Sequence, residues 1–276
     1  MPDFKYAVLG HPIHHSKSPL IHSHWFKEYN IDGHYHAIDI QPDHLSKDLR
    51  HLIAQGYKGF NVTLPHKETI MALCDYVDDT ARMIGAVNTI KIQDHKIIGY
   101  NTDIYGAIKN IQLKHPDPNF SLAGQSICVL GAGGAARAIL SGLAQEKVTK
   151  IYLANRTRAK AENLTSIAPD IIEVIDWEDK EDILPYCHGV INTTSLGMIN
   201  QPALEIDISA FPTKGWVNDI VYNPLMTPLL MAAQNNGNAV ITGIGMLLYQ
   251  AALSFELWTG LMPIVTDDLT QKVLDA

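Results

Sequence analysis

The sequence predicts an α/β protein made of two α/β units. Three observations carry this expectation. Short apolar β-like runs alternate with helical patterns along almost the whole chain, which implies βαβ units and a largely parallel sheet. A turn-rich break, His115-Pro-Asp-Pro-Asn119, is followed by a fresh α/β series. The 276 residues, 46% of them apolar, supply one large core or two medium ones.

The elements follow in order. Tyr6–Gly10 reads as a strand, then a helix runs from Pro19 to about Tyr29. His34–Ile40 is a second strand, followed by a helix from about Asp43 to Gln55. Gly59–Thr63 is a third strand, with a helix from Pro65 to about Val77. Ala86–Ile92 and His95–Tyr100 form a hairpin around Gln93-Asp94, and a helix runs from Asp103 to about Leu113. After the break come a strand at Ser126–Leu130, a helix at Ala135–Ala144 and a strand at Lys150–Ala154. Val190–Asn192 and Trp216–Ile220 are later strands. Met246–Thr259 is an apolar helix with one polar residue, Gln250, on its inner stripe.

Composition excludes several classes. The net charge is −8 and no Lys/Arg-rich run occurs, so the footprint of a nucleic-acid binder is missing. No apolar stretch approaches the roughly 18 residues of a membrane span. The N-terminus lacks the basic and apolar regions of a signal peptide. Three scattered cysteines, Cys74, Cys128 and Cys187, suit reduced thiols in the cytoplasm. Twelve of the thirteen histidines precede residue 116. No carboxylates or cysteines group with them, so no metal is expected, and they read as solvated surface residues.

Gly131-Ala132-Gly133-Gly134-Ala135-Ala136 follows a strand and opens a helix. The first glycine permits a tight turn, the second admits a pyrophosphate, and the small third residue lets helix and strand pack. The helix N-terminus offers N–H groups to the phosphates. The next strand ends at Asn155-Arg156-Thr157, where an acidic residue would accept from an adenosine ribose. Arg156 instead offers a fork for phosphate. The residues therefore predict NADP rather than NAD.

Other residues carry two readings each. Lys67, expected in a first helical turn after Thr63, is a general acid/base with a dipole-lowered pKa, or an ordinary lysine beside Glu68. Asp103 is a functional carboxylate or a helix N-cap. Ser18 is an N-cap before Pro19, or joins Ser16 in holding a carboxylate. Asn88 and Gln250 are amides on apolar elements that need partners.

Together these segments resemble the shikimate dehydrogenase family. The matching pieces are SKSP at Ser16–Pro19, NVTLPHK at Asn61–Lys67, GAVNT at Gly85–Thr89 and NTD at Asn101–Asp103. They continue with GAGGAAR at Gly131–Arg137, NRT at Asn155–Thr157, VYNP at Val221–Pro224 and GIGMLLYQ at Gly243–Gln250. Eight motifs in family order span nearly the whole chain.

The resemblance implies a substrate-binding catalytic domain at residues 1–103 plus 244–276 and a Rossmann NADP-binding domain at 104–243, with the active site in the cleft between them. It implies NADPH-dependent reduction of 3-dehydroshikimate to shikimate, on the route to chorismate and aromatic amino acids, without a metal, in a cytoplasmic monomer or homodimer. Ser16 and Ser18 would bind the substrate carboxylate, with Tyr222 nearby. Thr63, Asn88, Asp103 and Gln250 would read ring hydroxyls, and Lys67 with Asp103 would form the catalytic pair. Asp79, Ile220 and Gly243 would flank the cofactor, and the loop Asn192–Ser195 would lie near its ribose or nicotinamide end. Three departures stand out: His66 replaces a frequent aromatic, Ile104 a common glycine, and Lys160 the second arginine of NRTxxR. Lysine lacks the planar fork, which softens the preference for NADP. Tyr100 before NTD keeps open a quinate/shikimate dehydrogenase using NAD as well. A non-catalytic dinucleotide-binding regulator is the reading from a different class.

Overall fold

The computed structural model describes residues 4–276. The chain forms two compact units, Met1–Thr102 with Gln250–Ala276, and Asp103–Tyr249.

The first unit contains β1 (Phe4–Gly10), α1 (Ser18–Glu28), β2 (Gly33–Asp39), α2 (Leu45–Ala54), β3 (Tyr57–Val62), β4 (Tyr76–Val77), α3 (Asp79–Ile84), β5 (Thr89–Gln93) and β6 (Lys96–Tyr100). Its sheet runs β2-β1-β3-β5-β6-β4. The β2, β1 and β3 strands are parallel, as the βαβ pattern predicts. The sheet is nevertheless mixed, because β5 pairs antiparallel with both β3 and β6. The β5–β6 turn falls one residue later than expected, on Asp94 and His95. Both have positive φ, at 51° and 61°, the backbone that a tight two-residue hairpin requires. The core is aliphatic around Phe60, with Leu9, Leu49, Val62, Ile70 and Ile90 fully or nearly buried.

No α-helix runs from Pro65 to Val77. The chain makes turns through Glu68, a 3₁₀ helix at Thr69–Leu73 and then β4. Long-range partners claim the backbone that a helix would need. Val87 N–H donates to the Lys67 carbonyl at 2.8 Å, and Asp75 N–H to the Ile97 carbonyl at 2.8 Å. Lys67 therefore sits in a turn, and the helix-dipole argument for its acidity falls away.

The second unit contains α4 (Asp103–Lys114), β7 (Ser126–Leu130), α5 (Gly134–Gln145), β8 (Lys150–Ala154), α6 (Arg158–Glu162), β9 (Ile172–Ile175), β10 (Gly189–Asn192), β11 (Trp216–Asp219), α7 (Pro228–Asn235) and β12 (Ala239–Ile241). Its six strands run β12-β11-β10-β7-β8-β9, all parallel. Counted within the unit this is the doubly wound order 6-5-4-1-2-3, which switches direction at β7 and puts a crevice beyond the carboxyl ends of its strands. Both strand faces are covered, so β7, β10 and β11 are buried almost throughout. Finally α8 (Ile244–Thr259) carries the chain back to the first unit, which α9 (Asp267–Asp275) completes.

Among the described residues, no helix is long and apolar enough to cross a membrane, and no three His, Cys, Asp or Glu side chains group as metal ligands. The histidines are not uniformly solvated. His22 and His66 are fully buried, His22 because it lies on the inward face of α1 with Ser18, Ile21, Trp25 and Phe26.

Candidate functional site

In the second unit a pocket of about 360 Å³ opens where β7 and β8 end. Gly131, Ala132 and Gly133 form one wall, Asn155, Arg156, Thr157 and Lys160 a second, and Trp177, Thr193, Thr194 and Ser195 the rest. Gly131 has φ +106°, and a Cβ there would lie 2.6 Å from Thr193 Oγ1. Only glycine makes this turn and also lets the Thr193 loop approach. Gly131 N–H donates to the Ala154 carbonyl at 2.8 Å, tying the turn to the end of β8. Gly133 caps α5 from an extended conformation. A Cβ at Gly133 or Gly134 would meet nothing within 4 Å, which leaves room for a pyrophosphate against the helix N-terminus.

The charged wall is built locally. Asn155 Nδ2 donates to the Thr157 carbonyl at 2.8 Å, folding the end of β8 back on itself. Arg156 and Lys160 face the pocket, and no carboxylate lines it. Arg158 does not share this wall. Its guanidinium donates to Asp176 at 2.6 Å and to Glu162 at 3.0 Å, and the Asp176 bond holds it above the usual arginine range. A site with two cations, no anion and a glycine cradle fits a dinucleotide that bears an extra phosphate.

The far wall is shaped by a buried carboxylate. Asp219 accepts from Asn192 Nδ2 at 2.9 Å, Val221 N–H at 3.0 Å and Thr227 Oγ1 at 2.7 Å. Burial raises its pKa against these donors. Asn192 Oδ1 in turn accepts from Thr194 N–H and Oγ1, at 3.0 and 2.7 Å, which sets the 193–195 loop. Gly243 packs against Ile220 so closely that a Cβ would lie 2.2 Å from the Ile220 carbonyl oxygen. Neither lines the pocket, nor do Gly134 and Ala135. Tyr222, beyond β11, is partly buried, and burial raises its pKa. Asp79 opens α3 in the first unit.

The first unit carries Ser16, Ser18, Thr63, Lys67, Asn88 and Gln250, and Asp103 opens the second unit. Thr63 follows the carboxyl end of β3, where parallel strands present ligands. Thr63 N–H donates to the Leu9 carbonyl, and the Thr63 carbonyl accepts from His66 N–H, both at 2.9 Å. The buried His66 ring donates through Nε2 to the Ile40 carbonyl at 2.7 Å, so this departure from the family pattern anchors the Lys67 turn. The serine loop is tied to β2 by Asp39, which accepts from His11 at 2.7 Å and from Ile13 N–H at 3.2 Å. Ser18 is not an N-cap. It is already helical, and its N–H donates to Ser16 Oγ at 3.3 Å. Asp103 likewise is the first residue of α4 rather than its cap.

Asn88 lies just beyond the Lys67 turn through the Val87 bond. Its carbonyl accepts from Val62 N–H at 2.8 Å, and its Oδ1 from Thr102 N–H at 2.8 Å. Thr102 Oγ1 reaches Gln250 Oε1 at 3.4 Å. Behind these amides lies a buried polar cluster that the sequence reading missed: Asn61, Thr89, Thr102 and Ser254. Its only sequence signal is polar side chains inside otherwise apolar strands and a helix.

Comparison with known proteins agrees with this architecture. Family models match residues 8–90 (shikimate dehydrogenase substrate binding domain), 114–203 (shikimate/quinate 5-dehydrogenase) and 243–264 (shikimate 5'-dehydrogenase C-terminal domain). The NADP(+) shikimate dehydrogenase of Dinoroseobacter shibae is 47% identical, over 97% of this chain and 96% of its own. The shikimate 5-dehydrogenase of Thermus thermophilus, solved with NADP(H) and shikimate, is 32% identical with a TM-score of 0.86, covering 99% of this chain and 98% of its own. The quinate dehydrogenase of Corynebacterium glutamicum, solved with NAD, is 28% identical with a TM-score of 0.91, covering 99% of each chain. With a relative so similar over nearly its full length, and the family's motifs on the elements just described, the chain belongs to the shikimate dehydrogenase family.

Proposed function

We propose that this protein is an NADP-dependent shikimate dehydrogenase, reducing 3-dehydroshikimate reversibly to shikimate on the route to chorismate and the aromatic amino acids. The observation that carries the reading is the basic, carboxylate-free pocket at the ends of β7 and β8, supported by the relatives' NADP(+) activity. Gly131–Ala135 would hold the pyrophosphate. Asn155, Arg156, Thr157 and Lys160 would hold the 2′-phosphate, and Ile220, Gly243 and Asp79 would flank the remainder. When bound, the cofactor supplies a hydride to the carbonyl carbon.

The chain's own residues do the rest. Ser16 and Ser18, with Tyr222, bind the substrate carboxylate. Thr63, Asn88, Asp103 and Gln250 bond the ring hydroxyls, and such bonds reject an analogue lacking a hydroxyl by roughly 10⁴–10⁵. Lys67 donates a proton to the carbonyl oxygen as negative charge develops there, and Asp103 orients it and holds the adjacent hydroxyl. The enzyme works in the cytoplasm as a monomer or homodimer. Steady-state rates with shikimate and quinate, each with NADP⁺ and NAD⁺, test this. The highest kcat/KM is expected for shikimate with NADP⁺. Equal use of quinate and NAD⁺ would assign it to the quinate branch, and no turnover of either substrate would overturn the reading.

A further inference from the structure

We propose that Ser254 is a positioning residue that fixes the two side-chain amides, Asn88 and Gln250, assigned to the substrate hydroxyls. The proposal rests on that assignment. Ser254 is fully buried on α8, one turn after Gln250, and all its partners belong to the first unit. Its hydroxyl donates to the Gln250 carbonyl at 3.0 Å. Around its oxygen stand Asn61 Nδ2 at 2.9 Å, Thr89 Oγ1 at 2.8 Å and Thr102 Oγ1 at 3.3 Å.

A hydroxyl has one proton and two acceptor positions, so these neighbours cannot all donate to it. The amide nitrogen of Asn61 can only donate, and Thr89, nearer to Ser254 at 2.8 Å than to its other acceptor, Asn88 Oδ1 at 3.0 Å, is the better second donor. Asn61 is itself held, because its Oδ1 accepts from Tyr35 Oη at 2.7 Å. The Thr102 proton is thereby turned away from Ser254. Thr102 Oγ1 accepts from Asn88 Nδ2 at 3.0 Å, and its proton has Asn88 Oδ1 at 3.2 Å and Gln250 Oε1 at 3.4 Å as acceptors. The Thr102 hydroxyl thus links the two amides, bonded to Asn88 and in reach of Gln250 Oε1. The Asn88 amide cannot flip, since its Oδ1 also takes the Thr102 N–H. Both amides are thus held through one shared hydroxyl, whose proton Ser254 keeps turned toward them. Buried networks of this kind specify one arrangement only when every member is satisfied.

Removing the Ser254 hydroxyl takes the shortest acceptor from Asn61 and Thr89, leaving Asn61 Nδ2 to Thr89 Oγ1 at 3.2 Å and the Thr89 proton to Asn88 Oδ1 at 3.0 Å, and frees the Thr102 proton to reverse. Substrate affinity should suffer while chemistry and cofactor binding do not. In the full-length enzyme, Ser254→Ala should raise the KM for shikimate roughly 10-fold, the effect of one lost buried hydrogen bond. The KM for NADP⁺ and kcat should stay within about 2-fold, as expected of an interaction that is not specific to the transition state. Thr89→Val, which removes the same donor from the other side, should show the same split. An unchanged shikimate KM in a folded Ser254→Ala overturns the proposal, as does a parallel loss in both KM values and kcat. Failure of both variants to fold assigns the cluster to folding alone and also overturns it. A wild-type enzyme that turns over neither shikimate nor quinate instead removes the functional reading on which this rests.

Discussion

Arg156 and Arg158, two residues apart at the end of β8, have separate roles: Arg156 lines the nucleotide pocket, whereas Arg158 is bound to Asp176 at 2.6 Å. The difference makes a paired prediction. Arg156→Ala should weaken NADP about 10- to 100-fold, the worth of a hydrogen bond between charged groups, and leave NAD nearly unchanged. Arg158→Ala should leave the NADP/NAD ratio alone, since its charge is already spent on two carboxylates. Titration of each variant with both cofactors checks this. Equal weakening of NADP and NAD by Arg156→Ala would refute the 2′-phosphate role.

Lys67 is held in place by its backbone, through the Val87 N–H bond, so its side chain can be truncated without unravelling an element. Lys67→Ala should therefore fold, keep its NADP affinity and lose roughly 10²–10⁴ in kcat, the usual worth of a positioned acid/base. Near-normal kcat would remove Lys67 from the mechanism.

What was legible in the sequence was local. The glycine turn after β7 and the basic end of β8 are contiguous motifs, and the second folds on its own neighbours through the Asn155–Thr157 bond. The four central strands of the second unit, β7, β8, β10 and β11, could be read because they are largely buried, whereas the short edge strands β9 and β12 could not. The segment after Pro65 misled because Pro suggests a helix start, while the partners that prevent a helix, Val87 and Ile97, lie 20 or more residues away. The Asn61–Ser254 bond spans 193 residues, and no spacing rule reaches that far. His22 was misjudged as solvated, although Ile21, His22, Trp25 and Phe26 recur at helical spacing and mark it as an inward position.

Gly131 combines a left-handed backbone with a crowded Cβ position. Gly131→Ala would place a methyl 2.6 Å from Thr193 Oγ1 at φ +106°. Strain of this kind costs on the order of 1–3 kcal/mol, and relief requires the turn or the Thr193 loop to move. The variant should melt at a lower temperature and bind NADP at least 10-fold more weakly, read by thermal denaturation with and without NADP. Gly133→Ala, whose Cβ meets no protein atom, should keep the wild-type melting temperature and lose only the cofactor-induced shift. The same melting temperature for both variants would contradict this division.

His22 supplies a pH dependence. The ring stacks on Tyr35 at 4.4 Å and packs against Trp25, Phe255 and Trp258. Neither ring nitrogen has a hydrogen-bond partner. Burial lowers its pKa from 6.5 to about 3, with the nearby Asn61 side chain opposing part of that fall. In the unfolded chain the ring titrates near 6.5, so between that value and about 3 the unfolded state binds more protons. Stability is then present above pH 6.5 and lost as the pH falls, at up to about 1.4 kcal/mol per pH unit from this one group. His22→Phe keeps the aromatic stack and removes the titration together with two unsatisfied nitrogens. Urea denaturation should show the variant gaining stability over wild type progressively from pH 6.5 down to 4. A difference that stays constant across that range would mean His22 does not titrate on unfolding.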